Sequence, residues 1–426
     1  MSVKFSTRTV SPGLCNPMFE QKHCIQYTKK VESITLQEEN MEPTNSFVDE
    51  ALLNRVPRWS KYLEAKLGFR NHWYPVLLSR DIAEAQVVPA TVCGEEILLK
   101  RIDGTVRAIR DRCLHRGVKF SEKVECYTEN TITCWYHGFT YKWESGQLCD
   151  ILAAPDSKAI GRRAVKSYPV QEAKGLVFVF VGDDGVEVPP LSQDVPPTFL
   201  DEDLSVHAAI YDVGSNWRVG AENGFDGLHV YIHRSSELVP NTQRSLPIGH
   251  LSDNAKVEVF EEEGAPKGVY DLFANHVSVW EGKVEGKTVV TGTKRVSEKP
   301  TRTTAASIWL PCVLRVDNFP DQAITQFEWY VPVSADKHLY VMTVGKRVSN
   351  EKERADFEHE FWSRWKPVGF ENFNAQDIGA RVALQKYYQN DNSWLDEMLI
   401  EGDAPIIKWR ELCHKHARGV QKPEHM

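Results

Sequence analysis

Two short Cys/His motifs constrain the fold of this 426-residue chain more than any other feature of its sequence. The first is Cys113-Leu-His115, and the second, eighteen residues further on, is Cys134-Trp-Tyr-His137. Short β-rich runs and turn signals surround both motifs between about residues 73 and 181. Because Cys and His are ligands for transition metals, we expect both loops to meet at one metal centre. The sequence therefore predicts a small antiparallel β domain that holds this centre.

Two kinds of metal centre fit this pattern. A structural zinc ion accepts two Cys and two His ligands in tetrahedral geometry. A Rieske [2Fe–2S] cluster holds one iron by two thiolates and the other by two imidazoles, and two loops that each supply one Cys and one His suit that division. Zinc ribbons more often use C-x-x-C pairs. The pattern therefore favours the cluster, and a zinc-stabilised binding protein without redox chemistry is the alternative from another class.

Basic residues surround the first loop, although the chain as a whole carries a net charge of −8. The acidic balance argues against nucleic acid as a partner. The basic face is either an ordinary solvated surface or a docking patch for an acidic electron donor. Its members are Arg112, Arg116, Lys119 and Lys123.

A second group of metal-binding residues follows in the segment 222–233. Asp226, His229 and His233 stand at positions i, i+3 and i+7, and we expect them to share one face of a helix over 216–234. Two histidines and one carboxylate form the facial triad of non-haem Fe(II) oxygenases. The carboxylate is either Asp226 or a residue from another element. Asp377, on a late helix, is the main candidate, with Asp317, Asp321 and Glu328 as competitors.

The sequence as a whole predicts an α+β fold, with a small antiparallel all-β domain and a larger domain in which helices flank an antiparallel sheet. Strand-like runs at 269–273, 277–280, 307–316, 324–333 and 338–344 precede helical patterns at 351–365 and 374–389. The predicted division is a flexible extension at 1–46, a helical lead-in at 47–69 that packs on the larger domain, the β domain at 70–185 and the larger domain at 186–426.

The composition of the chain limits the cellular compartment in which we expect this protein. No apolar run approaches the roughly 20 residues of a membrane span, and no secretory leader is recognisable. The nine cysteines are odd in number and scattered, which is not typical of a disulfide framework. These features predict a cytoplasmic protein. Since no Gly-rich dinucleotide motif is present, we expect a separate protein to bind the nicotinamide.

The chain resembles the large subunits of Rieske non-haem iron ring-hydroxylating oxygenases from about residue 49 to near its C-terminus. The matching segments are the two Cys/His motifs, 71–76 and 222–233. Within this family the likeness is greatest to the terminal oxygenases of carbazole 1,9a-dioxygenases, in the segments 65–76, 112–118, 326–332 and 366–367.

The resemblance implies one Rieske [2Fe–2S] cluster and one mononuclear Fe(II) per chain. It also implies a homotrimer in which Asp226 bridges the iron site and a cluster histidine, His137 of the neighbouring subunit. The implied cluster ligands are Cys113, His115, Cys134 and His137, the implied iron ligands are His229, His233 and Asp377, and the implied substrate pocket contains Gly224, Phe319, Gln326 and Phe373.

The implied reaction is dihydroxylation of an aromatic ring by O2 and two electrons. The electrons would come from a ferredoxin that an NAD(P)H-dependent reductase reduces. The likeness to the carbazole enzymes specifies angular attack at C1 and C9a of carbazole, followed by opening to 2′-aminobiphenyl-2,3-diol. The alternative is lateral dioxygenation or monooxygenation of a different aromatic, because pocket shape rather than metal ligation sets the position of attack.

Overall fold

The structure is a computed structural model that describes residues 47–233, 236, 238, 257–271, 281–291 and 305–426. The predicted extension at 1–46 and the predicted strand at 277–280 lie outside the described residues. In the part of the chain that is described, no helix is long and apolar enough to cross a membrane.

The first half of the described chain forms antiparallel sheets, as predicted. Its strands are β1 (His72–Leu78), β2 (Val87–Val92), β3 (Glu95–Ile102), β4 (Thr105–Arg110), β5 (Thr131–Thr133), β6 (Phe139–Lys142), β7 (Leu148–Ile151), β8 (Ser167–Tyr168), β9 (Val170–Ala173) and β10 (Leu176–Val181). They pair in the orders β1-β10-β9, β2-β3-β4-β8 and β5-β6-β7. The first Cys/His motif follows β4, and the second joins β5 to β6. A separate apolar core, which includes Phe120, Tyr141 and Trp143, lies beneath both loops.

The second half is built on one antiparallel sheet with the strand order β11-β19-β18-β17-β16-β13-β12. The strands of this half are β11 (Leu204–Val213), β12 (Val257–Phe260), β13 (Gly268–Asp271), β14 (Glu281–Val284), β15 (Lys287–Thr291), β16 (Ala305–Trp309), β17 (Val313–Asp317), β18 (Ile324–Ser334) and β19 (Lys337–Arg347). The predicted single run 307–316 was wrong, because the chain reverses between β16 and β17. Pro311 lies at this reversal and has no N–H to continue a central strand.

The predicted helix over 216–234 was also wrong. An α-helix, α3 (Trp217–Phe225), ends at Asp226, whose ψ of 115° is extended, and a 3-10 helix over Gly227–His233 follows. The Asp226 side chain accepts a hydrogen bond from Leu228 N at 2.7 Å, a local contact that competes with helical pairing. The two histidines therefore lie on a 3-10 turn, and they do not share one α-helical face with Asp226.

The late helical patterns are confirmed, and they form one continuous helical segment. It consists of α4 (Glu351–Glu360), a π-helix over Phe361–Phe373 and α5 (Asn374–Tyr388). Asp377 lies in the first turn of α5. A π-helix widens the turn and is frequent at functional sites, and here it leads directly into the residues around Asp377.

Helices from both ends of the described chain pack together beside the large sheet. They are α1 (Glu50–Arg55), α2 (Ser60–Glu64) and α6 (Ala404–His416). The Tyr62 ring meets Trp217 edge-on at 5.8 Å, and Trp217 Nε1 donates to the Ala65 carbonyl at 2.7 Å. The lead-in thus contacts α3, the helix that precedes the two histidines. The domain boundaries at 46, 69 and 185 stay predictions.

A buried polar junction joins β1 to the C-terminal segment. Asp194 is fully buried and lies 2.9 Å from His72 Nδ1, accepts from Trp73 N at 2.8 Å and pairs with Arg418. Burial alone would raise the pKa of Asp194, but His72 and Arg418 outweigh it and lower that pKa below its usual value. The junction therefore stabilises the contact between the β domain and the end of the chain.

We expect Asp194→Asn to destabilise the protein by about 2 kcal/mol at neutral pH, because a neutral amide replaces the buried carboxylate that accepts from Trp73 N and pairs with Arg418. The measurement is the midpoint of denaturant unfolding. Below about pH 3.9, the usual pKa of an unfolded Asp, the difference from the parent should shrink, because acid neutralises Asp194 itself.

Asp356→Asn is the matched control, since the pair between Lys352 and Asp356 is exposed on both sides. It should change stability by less than about 1 kcal/mol. Equal effects of the two substitutions would contradict a stabilising role for the junction.

Candidate metal centres and active site

Both Cys/His loops close with the same backbone turn. Gly117 N donates to the Cys113 carbonyl at 2.9 Å, and Gly138 N donates to the Cys134 carbonyl at the same distance. Both glycines have φ near +71°, a conformation that side-chain-bearing residues rarely adopt. Each loop therefore needs a glycine after its histidine, at the position where the turn closes, and the two loops have similar shapes.

The four metal-binding side chains divide into a buried pair and a more exposed pair. Cys113 and Cys134 are buried, whereas His115 is exposed and His137 is partly exposed, with the histidine Nδ1 atoms 3.1 Å apart. A single zinc ion would need all four donor atoms within about 4 Å of one another. Among the described residues, these four do not form a group that closes within 4.8 Å. Paired thiols and paired imidazoles instead fit a two-iron cluster.

Tyr141 is a residue of this site that sequence reasoning missed. Its hydroxyl accepts from Leu114 N at 3.2 Å and lies 3.3 Å from Cys113 Sγ. Burial and the nearby Cys113 raise the pKa of Tyr141, so the hydroxyl keeps its proton and can donate it to the sulfur. The sequence position of Tyr141 did not indicate this role, because Tyr141 follows the second loop and contacts Cys113 and Leu114 in the first.

The basic face around the first loop is largely paired with carboxylates. Of its four basic residues, only Arg116 has no acidic partner within the described chain, and the exposed side chains of Leu114 and Tyr136 add apolar surface near the histidines. Charge alone therefore gives little support to the docking-patch interpretation. The ion pairs are Arg112–Glu96, Lys119–Glu96 and Lys123–Glu125.

His229, His233 and Asp377 come together although they lie far apart in sequence. Asp377 Oδ1 is 3.4 Å from His229 Nε2 and 3.3 Å from His233 Nε2, and all three donor atoms lie within 4.8 Å. His233 Nε2 and Asp377 Oδ1 are buried and have no hydrogen-bond partner among the residues that the structure describes. Buried polar atoms nearly always have partners, so these two fit the ligands of a bound cation.

The competing carboxylates are engaged elsewhere. Asp317 pairs with Arg315 at 2.8 Å, and Glu328 accepts hydrogen bonds from two tyrosines. Asp321 accepts from Gln322 N. Within the described part of the chain, Asp377 is the candidate carboxylate whose oxygen lies within 4.8 Å of both histidine nitrogens, and its role as a ligand stays a prediction.

Hydrogen bonds behind the histidines direct their Nε2 atoms towards Asp377. His229 Nδ1 contacts the backbone carbonyl of Asp226, and His233 Nδ1 lies 2.9 Å from Gln376 Oε1. Such contacts fix the tautomer of a ligating imidazole. Burial would raise the pKa of Asp377, but His233, His229 and Arg381 outweigh it and lower that pKa to about 2. Sequence reasoning missed this role of Gln376, and only its position next to Asp377 could have indicated it.

Asp226 lies beside this site in a different way from that expected. Its carboxylate accepts from Leu228 N, and its backbone carbonyl, not its carboxylate, faces His229. Burial and the nearby Asp403 raise the pKa of Asp226, against the effect of His229. A carboxylate contact with a cluster histidine of another subunit stays a prediction.

One of the four predicted pocket residues contacts a histidine, and a second packs against the first. Phe373 stacks on the His233 ring at 3.7 Å, and Phe319 lies 5.2 Å from Phe373. Gln326 is buried and donates to Glu328 at 2.5 Å. A Cβ on Gly224 would lie 1.9 Å from the Tyr330 hydroxyl, so the close approach of this tyrosine already requires a glycine there.

Family models match both halves of the chain. A model described as "Rieske [2Fe-2S] domain" matches residues 72–169, and one described as "Homotrimeric ring hydroxylase" matches residues 180–421. The terminal oxygenase component of carbazole 1,9a-dioxygenase from a Sphingomonas species is 50% identical over 374 residues, covering 86% of this chain and 97% of that protein. The corresponding component from Metapseudomonas resinovorans is 47% identical over 384 residues, covering 89% and 99%.

Solved structures agree with these matches. A fluorene-bound variant oxygenase in complex with ferredoxin, from a carbazole 1,9a-dioxygenase, has a TM-score of 0.84 and 47% identity, and the match covers 89% of this chain and 99% of that chain. The terminal oxygenase of carbazole 1,9a-dioxygenase from Novosphingobium sp. KA1 has a TM-score of 0.81 and 47% identity, with 88% and 100% covered. The chain therefore belongs to the Rieske-type aromatic ring-hydroxylating oxygenases, enzymes whose cofactors are a Rieske [2Fe–2S] cluster and a mononuclear iron.

Proposed function

We propose that this chain is a terminal oxygenase that adds both atoms of O2 to C1 and C9a of carbazole. The proposal rests chiefly on identities of 47–50% to carbazole terminal oxygenases along almost their whole length. The reaction consumes one O2, two electrons and two protons. Its hemiaminal product then opens by cleavage of the C9a–N bond to 2′-aminobiphenyl-2,3-diol. The electrons come from a ferredoxin that a separate NAD(P)H-dependent reductase reduces.

Each metal centre has a proposed set of protein ligands. Cys113, His115, Cys134 and His137 hold the cluster, and His229, His233 and Asp377 hold the iron. When bound, the cluster supplies an electron and the iron activates O2. The fit is supported by the buried Nε2 and Oδ1 atoms of His233 and Asp377, which have no other partner.

The aromatic residues at the iron site bind the flat substrate in this proposal. Phe373 stacks on one ligand, His233, and Phe319 packs against Phe373. Their rings offer an apolar surface to a fused aromatic and exclude water from the reacting carbons. Gln326 and Gly224 stay predicted members of the pocket, although the Tyr330 hydroxyl occupies the space where a Gly224 side chain would lie.

A homotrimer accounts for the exposure of the cluster histidines within one chain. His115 is exposed and His137 is partly exposed, so the neighbouring subunit's iron site can approach them. Asp226 then accepts a hydrogen bond from His137 of the neighbouring subunit. The cytoplasm is the proposed location, where the described cysteines, which form no disulfide with one another, stay reduced.

The function is tested by a single turnover. Chemically reduced protein with both centres loaded is mixed with carbazole and O2, and the products are identified by mass and retention time. We expect 2′-aminobiphenyl-2,3-diol in an amount that approaches one per active site. His233→Ala, which removes a proposed iron ligand, is the control and should form no product. Hydroxycarbazole from loaded protein would overturn the proposed position of attack.

Asp226→Asn tests the bridge between the centres. The variant should keep the iron and sulfide content of the parent but lose roughly 10–100-fold in turnover, the usual cost of removing a partner of a metal ligand. The reason is that an amide can present an N–H where the carboxylate would accept one. Asp356→Asn makes the same chemical change on the surface and should leave turnover unchanged. Full activity in Asp226→Asn would remove the bridge from the mechanism.

Tyr141→Phe tests the hydrogen bond to the cluster sulfur. A hydroxyl that donates to a thiolate favours the reduced, more negative cluster, so its loss should lower the reduction potential. We expect a fall of roughly 60 mV, which corresponds to a tenfold change in a one-electron equilibrium. Redox titration of the visible spectrum gives the value. Tyr127→Phe, at an exposed tyrosine that contacts Glu125, is the control; an equal shift in both variants would argue against the sulfur contact.

A further inference from the structure

A buried polar network lies directly behind the iron site and is not needed for metal ligation. It joins β18 and β19 to α5, and Arg381 links it to α3. We call it the Glu328 network. Its members are Gln326, Glu328, Tyr330, Tyr340, Asn374 and Arg381, all of them buried.

Glu328 is the acceptor at the centre of this network. Its Oε2 accepts from the hydroxyls of Tyr330 at 2.5 Å and Tyr340 at 2.6 Å. Its Oε1 accepts from Gln326 Nε2 at 2.5 Å and from Asn374 Nδ2 at 3.1 Å. Burying a carboxylate is costly unless its hydrogen-bonding capacity is filled, and four donors meet that requirement here.

The surrounding residues are arranged so that these donors can reach Glu328. The missing side chain of Gly224 leaves the space into which the Tyr330 hydroxyl projects. Arg381 lies against the stacked rings of Tyr330 and Tyr340, 4.9 and 4.3 Å from their centroids, with its NH2 nitrogen 3.9 Å from Glu328 Oε2. Arg381 follows Asp377 by one turn of α5, so the network and the iron site share a helix.

Asn374 connects this network to the iron site. Its Nδ2 faces Glu328 Oε1 at 3.1 Å and Asp377 Oδ2 at 3.5 Å, and its Oδ1 accepts from Gln326 Nε2 at 3.4 Å. A side-chain amide can in principle be turned by 180°. The turned amide would set its oxygen against two carboxylates and its nitrogen against the Gln326 nitrogen. Glu328, whose oxygen is nearer to Asn374 Nδ2 than that of Asp377, thus helps to fix the orientation in which this amide donates to Asp377.

We propose that Glu328 is a positioning residue for the mononuclear iron, acting through Asn374 on Asp377. The Asn374 amide holds Asp377 Oδ2, which leaves Oδ1 directed at His229 and His233. Glu328 itself touches neither the histidines nor the proposed cation position. This inference rests on the proposed iron site, and it adds a residue that sequence reasoning considered only as a rival ligand.

Fe(II) affinity tests the proposal without reference to turnover. The mononuclear iron is removed from full-length protein with a chelator, and Fe(II) is titrated back anaerobically against a competing indicator while the visible spectrum reports the cluster. Removing a partner of a metal ligand typically weakens binding by roughly 10–100-fold. We expect that loss in Glu328→Met, which has similar length and no acceptor, and in Asn374→Leu, with the cluster spectrum unchanged.

The double variant separates positioning from packing. If Glu328 acts through Asn374, then Glu328→Met combined with Asn374→Leu binds Fe(II) about as weakly as either single variant, because both remove one interaction. Losses that multiply would overturn the proposal. Unchanged affinity in Glu328→Met would overturn it as well.

Three further variants keep the test decisive. Glu328→Gln preserves the shape of the side chain and is used if Glu328→Met does not fold. Its amide offers one acceptor atom instead of two, so we expect at least threefold weaker Fe(II) binding, and unchanged binding would overturn the proposal. Glu187→Gln makes the same change at an exposed residue and should bind as the parent does. If His233→Ala also binds as the parent does, the proposed iron site itself is wrong; if only the Glu328 variants do, the iron site stands and this inference alone fails.

Discussion

The approach of Asp377 Oδ1 to two histidine nitrogens, at 3.3 and 3.4 Å, is the contact on which the larger domain depends. Three donor atoms held this close in a largely buried site fit the ligands of a cation. Two segments far apart in sequence must be fixed against each other to form this site. The 3-10 helix Gly227–His233 supplies the histidines and the first turn of α5 supplies the carboxylate, while the Asp226 carbonyl and Gln376 Oε1 accept from the histidine Nδ1 atoms and orient both rings.

The sequence predicted features that depend on neighbouring residues. Short β-rich runs and turn residues predicted the antiparallel β fold around the two Cys/His motifs. The pairing of His229 and His233 was expected from their separation on an α-helix; the segment is a 3-10 helix instead, yet the two rings lie 5.4 Å apart. The residues alone made Asp377 the main candidate among several carboxylates, and the resemblance to a family selected it.

The features that sequence reasoning missed depend on contacts between distant segments. The helix over 216–234 ends early because the Asp226 carboxylate captures Leu228 N, a competition that periodicity does not reveal. The resemblance placed Gly224 in the substrate pocket, yet the Tyr330 hydroxyl fills the space where a side chain at this position would lie. Tyr141 reaches Cys113 across two loops. In each case a polar atom contacts a partner that the sequence pattern does not identify.

The two proposed metal sites differ in which of their side chains are buried. At the proposed cluster site, the thiols are buried, His115 is exposed and His137 is partly exposed, so in the proposed assignment an electron leaves through an imidazole towards another surface. At the iron site, His233 and Asp377 are buried, which keeps water from a reactive centre. A single chain therefore presents its electron outlet at the surface and its reaction site inside. Because the outlet faces outward, the neighbouring copy of a trimer, rather than the same chain, is the natural acceptor.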